Sequence, residues 1–233
     1  MTLSFTSLLG NGGAQLLNAL VLYLTRPALL AEGAGRVDTQ LALRSLRRGD
    51  VLLTSGNTRA ARLIRRITGS PWAHVCMYVG PLTQGEDPPC IVEADIAAGV
   101  RAIRCSDLRG QRVQVLRPAQ LPESDRARLA DWVVSRIGDH YDLGTACRLG
   151  ARLLHLPRIG RIPSASDVAE GAKRFICSSL LAQAFLFVGH PIMPAQVRAR
   201  AASTSDYWQV TPRDFERASG FEVVDGRDSQ APQ

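Results

Sequence analysis

KRFICSSLLAQAFLFVG, residues Lys173 to Gly189, is an apolar run closed by glycine, with Pro191 just beyond it. Glycine and a following proline form a C-terminal stop, so the run predicts a helix. Nearly every face of that helix is hydrophobic, which predicts a buried, central element rather than one lying on the surface. Cys177 falls in its first turn, where the macrodipole and unpaired N–H groups favour a thiolate. Position alone leaves a second reading open, because a free cysteine is also a small core hydrophobe.

The rest of the chain must cover this helix. Its 233 residues, 45% of them hydrophobic, suffice for one packed domain with an appended segment. The net charge of +7 rests almost wholly on arginine, since Lys173 is the single lysine. Such a balance suits an anionic partner. The basic residues are scattered, however, without the aromatic-interleaved stripe of a nucleic-acid reader, and nucleic acid is not expected as a partner. The five cysteines (Cys76, Cys90, Cys105, Cys147 and Cys177) are odd in number and contain no CxxC pair. They form neither a disulfide framework nor a zinc spacing, and they point to a reducing compartment.

Upstream, Met1 to Thr25 carries no charged residue. Leu16, Leu17, Leu20, Val21 and Leu24 share one helical face, with Gln15, Asn18 and Tyr23 off it. This stretch is too short and interrupted to span a bilayer, and it lacks the basic start and cleavage site of a secretory signal. An uncleaved amphipathic helix is expected, followed by a linker to Arg36. Residues 14–30 are a candidate surface for self-association or peripheral membrane contact. Packing or self-association is favoured, because the polar face lacks the Lys and Arg of interfacial helices. A cytoplasmic location, with peripheral membrane attachment as an option, follows from the same features.

The folded domain is expected from Leu46. Val51 to Thr54 reads as a strand and Asn57 to Thr68 as a helix, with Ala60, Leu63, Ile64 and Ile67 inward and an arginine face outward. Ala73 to Val79 is a strand whose alternation puts His74, Cys76 and Tyr78 on one face and Val75, Met77 and Val79 on the other. Ile91 to Asp95 is a second strand, with Glu93 and Asp95 on a common face. Val100 to Cys105 and Arg112 to Arg117 complete a small, mostly antiparallel sheet. Glu123 to Ile137 is an amphipathic helix with Leu129, Trp132, Val133 and Ile137 as its buried stripe. Leu143 to Leu156 reads as helix and Pro157 to Gly171 as an irregular insert suited to a lid or a membrane-facing loop. A short helix over Pro212 to Ala218, capped by Thr211, and a strand at Phe221 to Val224 end the domain. Residues 226–233 are expected to be disordered. The fold class is α+β.

A cysteine hydrolase needs a thiolate, an imidazole within reach and a third group that orients the imidazole. Cys177, His74 and Glu93 supply those types, provided that the two strands pair in suitable register. Asp95 shares the face of Glu93 and is an alternative orienting group. Cys76 is an alternative thiol, without helix-end activation. His74, Cys76 and Cys105 are metal-ligand types, but their spacing supports no zinc site. No metal or other cofactor is expected.

The ordered motifs GDVLL (Gly49 to Leu53), ITGSPWAHVCMYVG (Ile67 to Gly80), IVEA (Ile91 to Ala94), HYD (His140 to Asp142) and FICSSLLAQAF (Phe175 to Phe185) carry a resemblance. The chain resembles the YiiX/YaeF-like branch of the NlpC-type superfamily, permuted papain-fold cysteine hydrolases in which the histidine strand precedes the cysteine helix. TPRDFERASGFEVV (Thr211 to Val224) is similar to their C-terminal ending. The resemblance implies a circularly permuted papain-like domain over residues 46–225, with the helix and linker of residues 1–36 as an addition. It also implies Cys177 as nucleophile, His74 as general base and then acid, and Glu93 as the group that orients His74. Tyr141 matches a tyrosine that lies near the oxyanion in NlpC-type enzymes. Two departures alter the pocket rather than the triad. Ser179 stands where an acidic residue is common, and Cys76 stands where a small residue is usual.

These residues imply a cysteine amidase or peptidase working through a thioester acyl-enzyme on a small-molecule, peptide or lipid-like amide or ester. Two alternatives accompany that reading. One is a lipid-directed acyltransferase or thioesterase with the same triad at a membrane surface. The other is a binding module that keeps the fold without turnover.

Overall fold

The computed structural model describes residues 15, 19, 21–27, 45–143, 146, 149, 174–192 and 209–224. Its first strand, β1 (Val51–Thr54), is buried at all four positions, as an apolar run without alternation requires when both faces are covered. Helix α1 (Arg59–Thr68) starts at Thr58, whose Oγ1 accepts from the Ala61 N–H at 3.1 Å, and stops at left-handed Gly69. Strands β2 (His74–Tyr78), β3 (Pro89–Asp95), β4 (Gly99–Arg104) and β5 (Val113–Pro118) follow, with a single 3₁₀ turn at Cys105–Leu108 between the last two. Helix α2 (Glu123–Val134) and the short strands β6 (His140–Tyr141) and β7 (Arg174–Phe175) lead to α3 (Cys177–Phe187). Helix α4 (Pro212–Glu216) and β8 (Phe221–Val223) complete the described elements.

The main sheet has the order β4-β3-β2-β1-β5-β8, and each neighbouring pair is antiparallel. Alternation sorts its side chains as β geometry demands. Val51, Leu53, Val75, Met77 and Val92 face a core shared with Leu129 and Val133 of α2 and with Leu180, Leu181 and Phe185 of α3. Leu52, Cys76, Ile91, Ile103, Val113 and Val115 form a second cluster with Leu108 and Val224. Helix α3 buries eight of its eleven residues, so the expected central helix is central. Its end matches the sequence signals, with Gly189 in the left-handed region and the His190 N–H bonded to the Phe185 carbonyl at 2.9 Å.

Several details differ from expectation. Leu63 is 48% exposed, because α1 rests on the domain through Ala60, Ala61 and Thr68 instead. Ile137 lies beyond the end of α2 and is 42% exposed, while Ala130 takes its place in the buried stripe. Cys105 opens the 3₁₀ turn rather than ending β4. A parallel pair, β6 with β7, was not anticipated; it sets Tyr141 beside Phe175, two residues before the cysteine.

Residues 21–25 are helical, with Val21 and Leu24 half-buried and Leu22 and Tyr23 exposed. The segment then touches the domain. Pro27 bridges Thr58, and the Arg59 N–H bonds the Arg26 carbonyl at 3.1 Å. The Arg59 guanidinium sits 4.2 Å above the Tyr23 ring. Among the described residues no helix is long and apolar enough to cross a membrane. The rest of the amphipathic helix and its linker, most of the Leu143 to Leu156 helix, the Pro157 to Gly171 insert, Cys147 and the 226–233 tail lie outside the described residues.

Candidate active site

Two elements meet end to end at the site. Cys177 is the first residue of α3 and His74 is the first residue of β2. The helix packs on the Val75 and Met77 face of the sheet, so His74 belongs by alternation to the opposite face. At the strand's end its ring nonetheless interacts with the Cys177 thiol. Ile176, just before the helix, is held by Ser179, whose Oγ accepts the Ile176 N–H at 3.0 Å. This fixes the turn that presents the sulfur.

His74 Nε2 lies 2.9 Å from Glu93 Oε2, which leaves Nδ1 for Cys177. The β2–β3 register pairs Met77 with Val92 and Tyr78 with Ile91. Extended to the strand end, that register sets Asp95 opposite His74 and Glu93 diagonal to it, a separation that a long side chain crosses. Asp95 is otherwise engaged. Its Oδ1 accepts the Ala97 and Ala98 N–H groups at 2.9 and 2.8 Å, closing the β3–β4 turn. Of the two carboxylates left open by the sequence, Glu93 is the one on the imidazole.

Arg101 is the residue that sequence reasoning missed. It pairs with Glu93 across β3–β4, and its Nε and Nη2 both donate to Glu93 Oε1, at 3.0 and 2.9 Å. The same Nη2 lies 3.4 Å from Asp95 Oδ2. A signal for it exists in the sequence. DIAAG at Asp95 to Gly99 is a turn, and folding a hairpin about it brings Glu93 opposite Arg101.

The charges reinforce one another. Burial opposes ionisation of Cys177, but the charge and hydrogen bond of His74, with the Val75 and Ser178 N–H groups, hold the thiol below its usual value. Burial likewise disfavours the imidazolium, yet Cys177 and then Glu93 raise His74 well above 6.5. For Glu93, burial is outweighed by His74 and Arg101, and its carboxyl falls to about 2. A thiolate–imidazolium pair anchored on an ionised carboxylate is the favoured state.

A cleft of about 400 Å³ opens onto this group. Tyr141, Asp95, Asn57, Ile64 and Gln111 are on its walls, as is Thr25 from the N-terminal segment. Ser179 does not line it; the residue is 4% exposed and spends its hydroxyl on Ile176. Cys76 is fully buried, its thiol 3.7 Å from the Leu52 carbonyl, and burial pushes it well above the usual thiol range. Such a thiol is inert.

A buried helix-end thiol, an imidazole and a carboxylate on adjacent strands, in this chain order, are the groups that a cysteine hydrolase of permuted papain-like fold requires. Two comparisons show what the chain is similar to. Residues 45–148 match the family described as "Permuted papain-like amidase enzyme, YaeF/YiiX, C92 family". The fold is similar to that of the metalloprotein yiiX from Escherichia coli O157:H7, with a TM-score of 0.51 and 16% identity over 76% of this chain and 96% of that one. The family match spans 104 of the 233 residues and ends before Cys177, and the structural likeness, at 16% identity, is one of fold. No curated protein sequence matches the chain. The E. coli protein is titled a metalloprotein. Among the described residues of this chain, no group of three His, Cys, Asp or Glu side chains is arranged to hold a metal ion.

Proposed function

We propose that this protein is a cysteine amidase or peptidase in which Cys177, His74 and Glu93 act as a triad through a thioester acyl-enzyme. The observation that carries this reading is the shared imidazole, bonded to Glu93 Oε2 at 2.9 Å and interacting with Cys177 on the wall of the same cleft. The Cys177 thiolate attacks the carbonyl carbon of the substrate. His74, as imidazolium, gives its proton to the departing amine, leaving an S-acyl cysteine. The neutral ring then takes a proton from water, which attacks the thioester, and the sulfur leaves as thiolate. Charge developing on the carbonyl oxygen is met by the Cys177 N–H at the helix start and by Tyr141 on the cleft wall. Glu93 keeps the ring oriented and stabilises its cation.

The test is labelling with a thiol-directed acyl probe. Cys177→Ala is expected to abolish labelling while circular dichroism stays unchanged. Labelling that survives in Cys177→Ala and disappears in Cys76→Ala would overturn the assignment.

One observation favours a second substrate class. Leu22 and Tyr23, 65% and 55% exposed, stand on the segment whose Thr25 lines the cleft. Apolar residues there suit a lipid surface, with the same acyl-enzyme passing its acyl group to or from a lipid. On this reading the full-length protein floats with anionic liposomes and a Leu22→Glu, Tyr23→Glu variant does not. Absence of flotation by the unaltered protein rejects it.

A further inference from the structure

Away from the triad, two cysteines that the sequence keeps fifteen residues apart lie side by side, with Cys90 Sγ 3.4 Å from Cys105 Sγ. The reason is an irregularity between β3 and β4. Pro89 pairs with Arg104 and Ile91 with Ile103, so the register shifts at Cys90. A shift of this kind re-aims a side chain. Cys90 and Ile91, though consecutive, both join the cluster that contains Ile103, with Cys105 packed against it. Both sulfurs are free thiols.

We infer that Cys90 and Cys105 form a redox-modification site, a dithiol that a small peroxide converts reversibly into a disulfide. Three features of the pair suit this chemistry. The sulfurs are already in contact, so bond formation needs a short approach and no rearrangement of the sheet. Cys90 is 5% exposed and Cys105 half-buried, which admits a molecule the size of hydrogen peroxide and disfavours a bulky oxidant. The hydrogen bond from Cys105 lowers the Cys90 thiol below its usual value against the effect of burial, so Cys90 is the better nucleophile.

The reaction balances with peroxide alone. The Cys90 thiolate attacks one peroxide oxygen, the O–O bond breaks, and the departing hydroxide becomes water on taking the Cys105 proton. Cys90 is now a sulfenic acid. The Cys105 sulfur attacks it, the S–O bond breaks, and a second water leaves once protonated. Two thiols lose two electrons in total and one peroxide is reduced to two waters. An external thiol reverses the change by exchange. The new bond would tie the strand that carries Glu93 to the turn whose Asp107 and Leu108 line the cleft.

The full-length protein treated with equimolar hydrogen peroxide, alkylated and digested, tests this by peptide mass mapping. The expected product links the Cys90 and Cys105 peptides at two hydrogens below their summed mass, and dithiothreitol removes it. In Cys105→Ser, Cys90 is expected to be trapped by dimedone as a sulfenic acid, with no link. Cys76, fully buried, stays reduced and reports an intact fold. The proposal is overturned if Cys90 and Cys105 remain alkylatable while Cys177 is oxidised, or if either links to a different cysteine. The outcome is independent of whether Cys177 is the nucleophile of a hydrolase.

Discussion

Glu93 is shared between two cations, with one oxygen on His74 Nε2 and the other on Arg101. The arrangement holds the carboxylate in one orientation and keeps it ionised in a nearly buried position. Replacing Arg101 with Ala removes two charge-assisted hydrogen bonds and lets the Glu93 carboxyl rise from about 2. One such interaction is worth roughly 1.5–3 kcal/mol, so kcat/KM is expected to fall about tenfold or more, with partial recovery in Arg101→Lys. The pH profile separates this from a structural defect. Cys177 is lowered and His74 raised, so activity should be bell-shaped, its alkaline limb set by loss of the imidazolium above the usual histidine range. Glu93→Gln removes a negative charge from the ring, and its alkaline limb should move to lower pH. Arg101→Ala should instead move the acid limb upward, as Glu93 becomes easier to protonate. The same groups set stability. A depressed carboxyl stabilises the fold above its unfolded value near 4.5, and that contribution is lost as pH falls towards about 2. Glu93 against Asp95 could not be decided from alternation, because both share a face and only the register distinguishes opposite from diagonal. Arg101 was hidden for a related reason. Its role depends on a strand partner, which the hydrophobic pattern does not name.

The β3–β4 turn determines more than a hairpin. Gly99 has φ +75, and a Cβ there would lie 2.4 Å from the Asp139 carbonyl oxygen. That oxygen accepts the Val100 N–H at 2.8 Å, and the Gly138 N–H bonds back to Val100 at 2.9 Å. The corner leads directly into β6 and Tyr141. Gly99→Ala must therefore pay left-handed strain of about 1–2 kcal/mol and also push the corner away. Gly110→Ala, at φ +76 with nothing within 4 Å of its Cβ, carries the strain alone. Urea denaturation should show Gly99→Ala as the less stable of the two, and the acylation rate should drop in that variant only. Elements with a one-dimensional signature were legible: β1 from its apolar run, α3 from its apolar surround and glycine stop, α4 from Thr211 and Pro212. Leu63 and Ile137 were misplaced because periodicity says that a helix has an apolar face but not how much of it the neighbours cover. The β6–β7 pair joins short segments far apart in sequence, and two-residue strands leave no pattern to read.

Across the molecule, much of the basic surplus works inside the fold. Asp50 is fully buried and accepts from Arg117 at 3.0 and 2.7 Å, with Arg126 Nη1 3.8 Å away. Arg126 also donates to the Leu121 and Pro118 carbonyls, and Arg213 to the Thr68 carbonyl. These arginines tie loops and helices to the sheet, so a net charge of +7 overstates what is offered to a partner. Asp50→Asn would leave two half-buried guanidinium groups facing a neutral amide. A loss of about 3–5 kcal/mol is expected from the urea midpoint, while kcat of the folded fraction stays unchanged, since Asp50 does not line the cleft. The order of the parts has a consequence in time. Strands β1 to β5, with His74, Glu93 and Arg101, are all encoded by Pro118, and Cys177 comes much later. Under the proposed triad, a nascent chain halted anywhere before Ile176 holds the base and its carboxylate without a nucleophile, so the ribosome releases the Cys177 sulfur only after its two partners have been made.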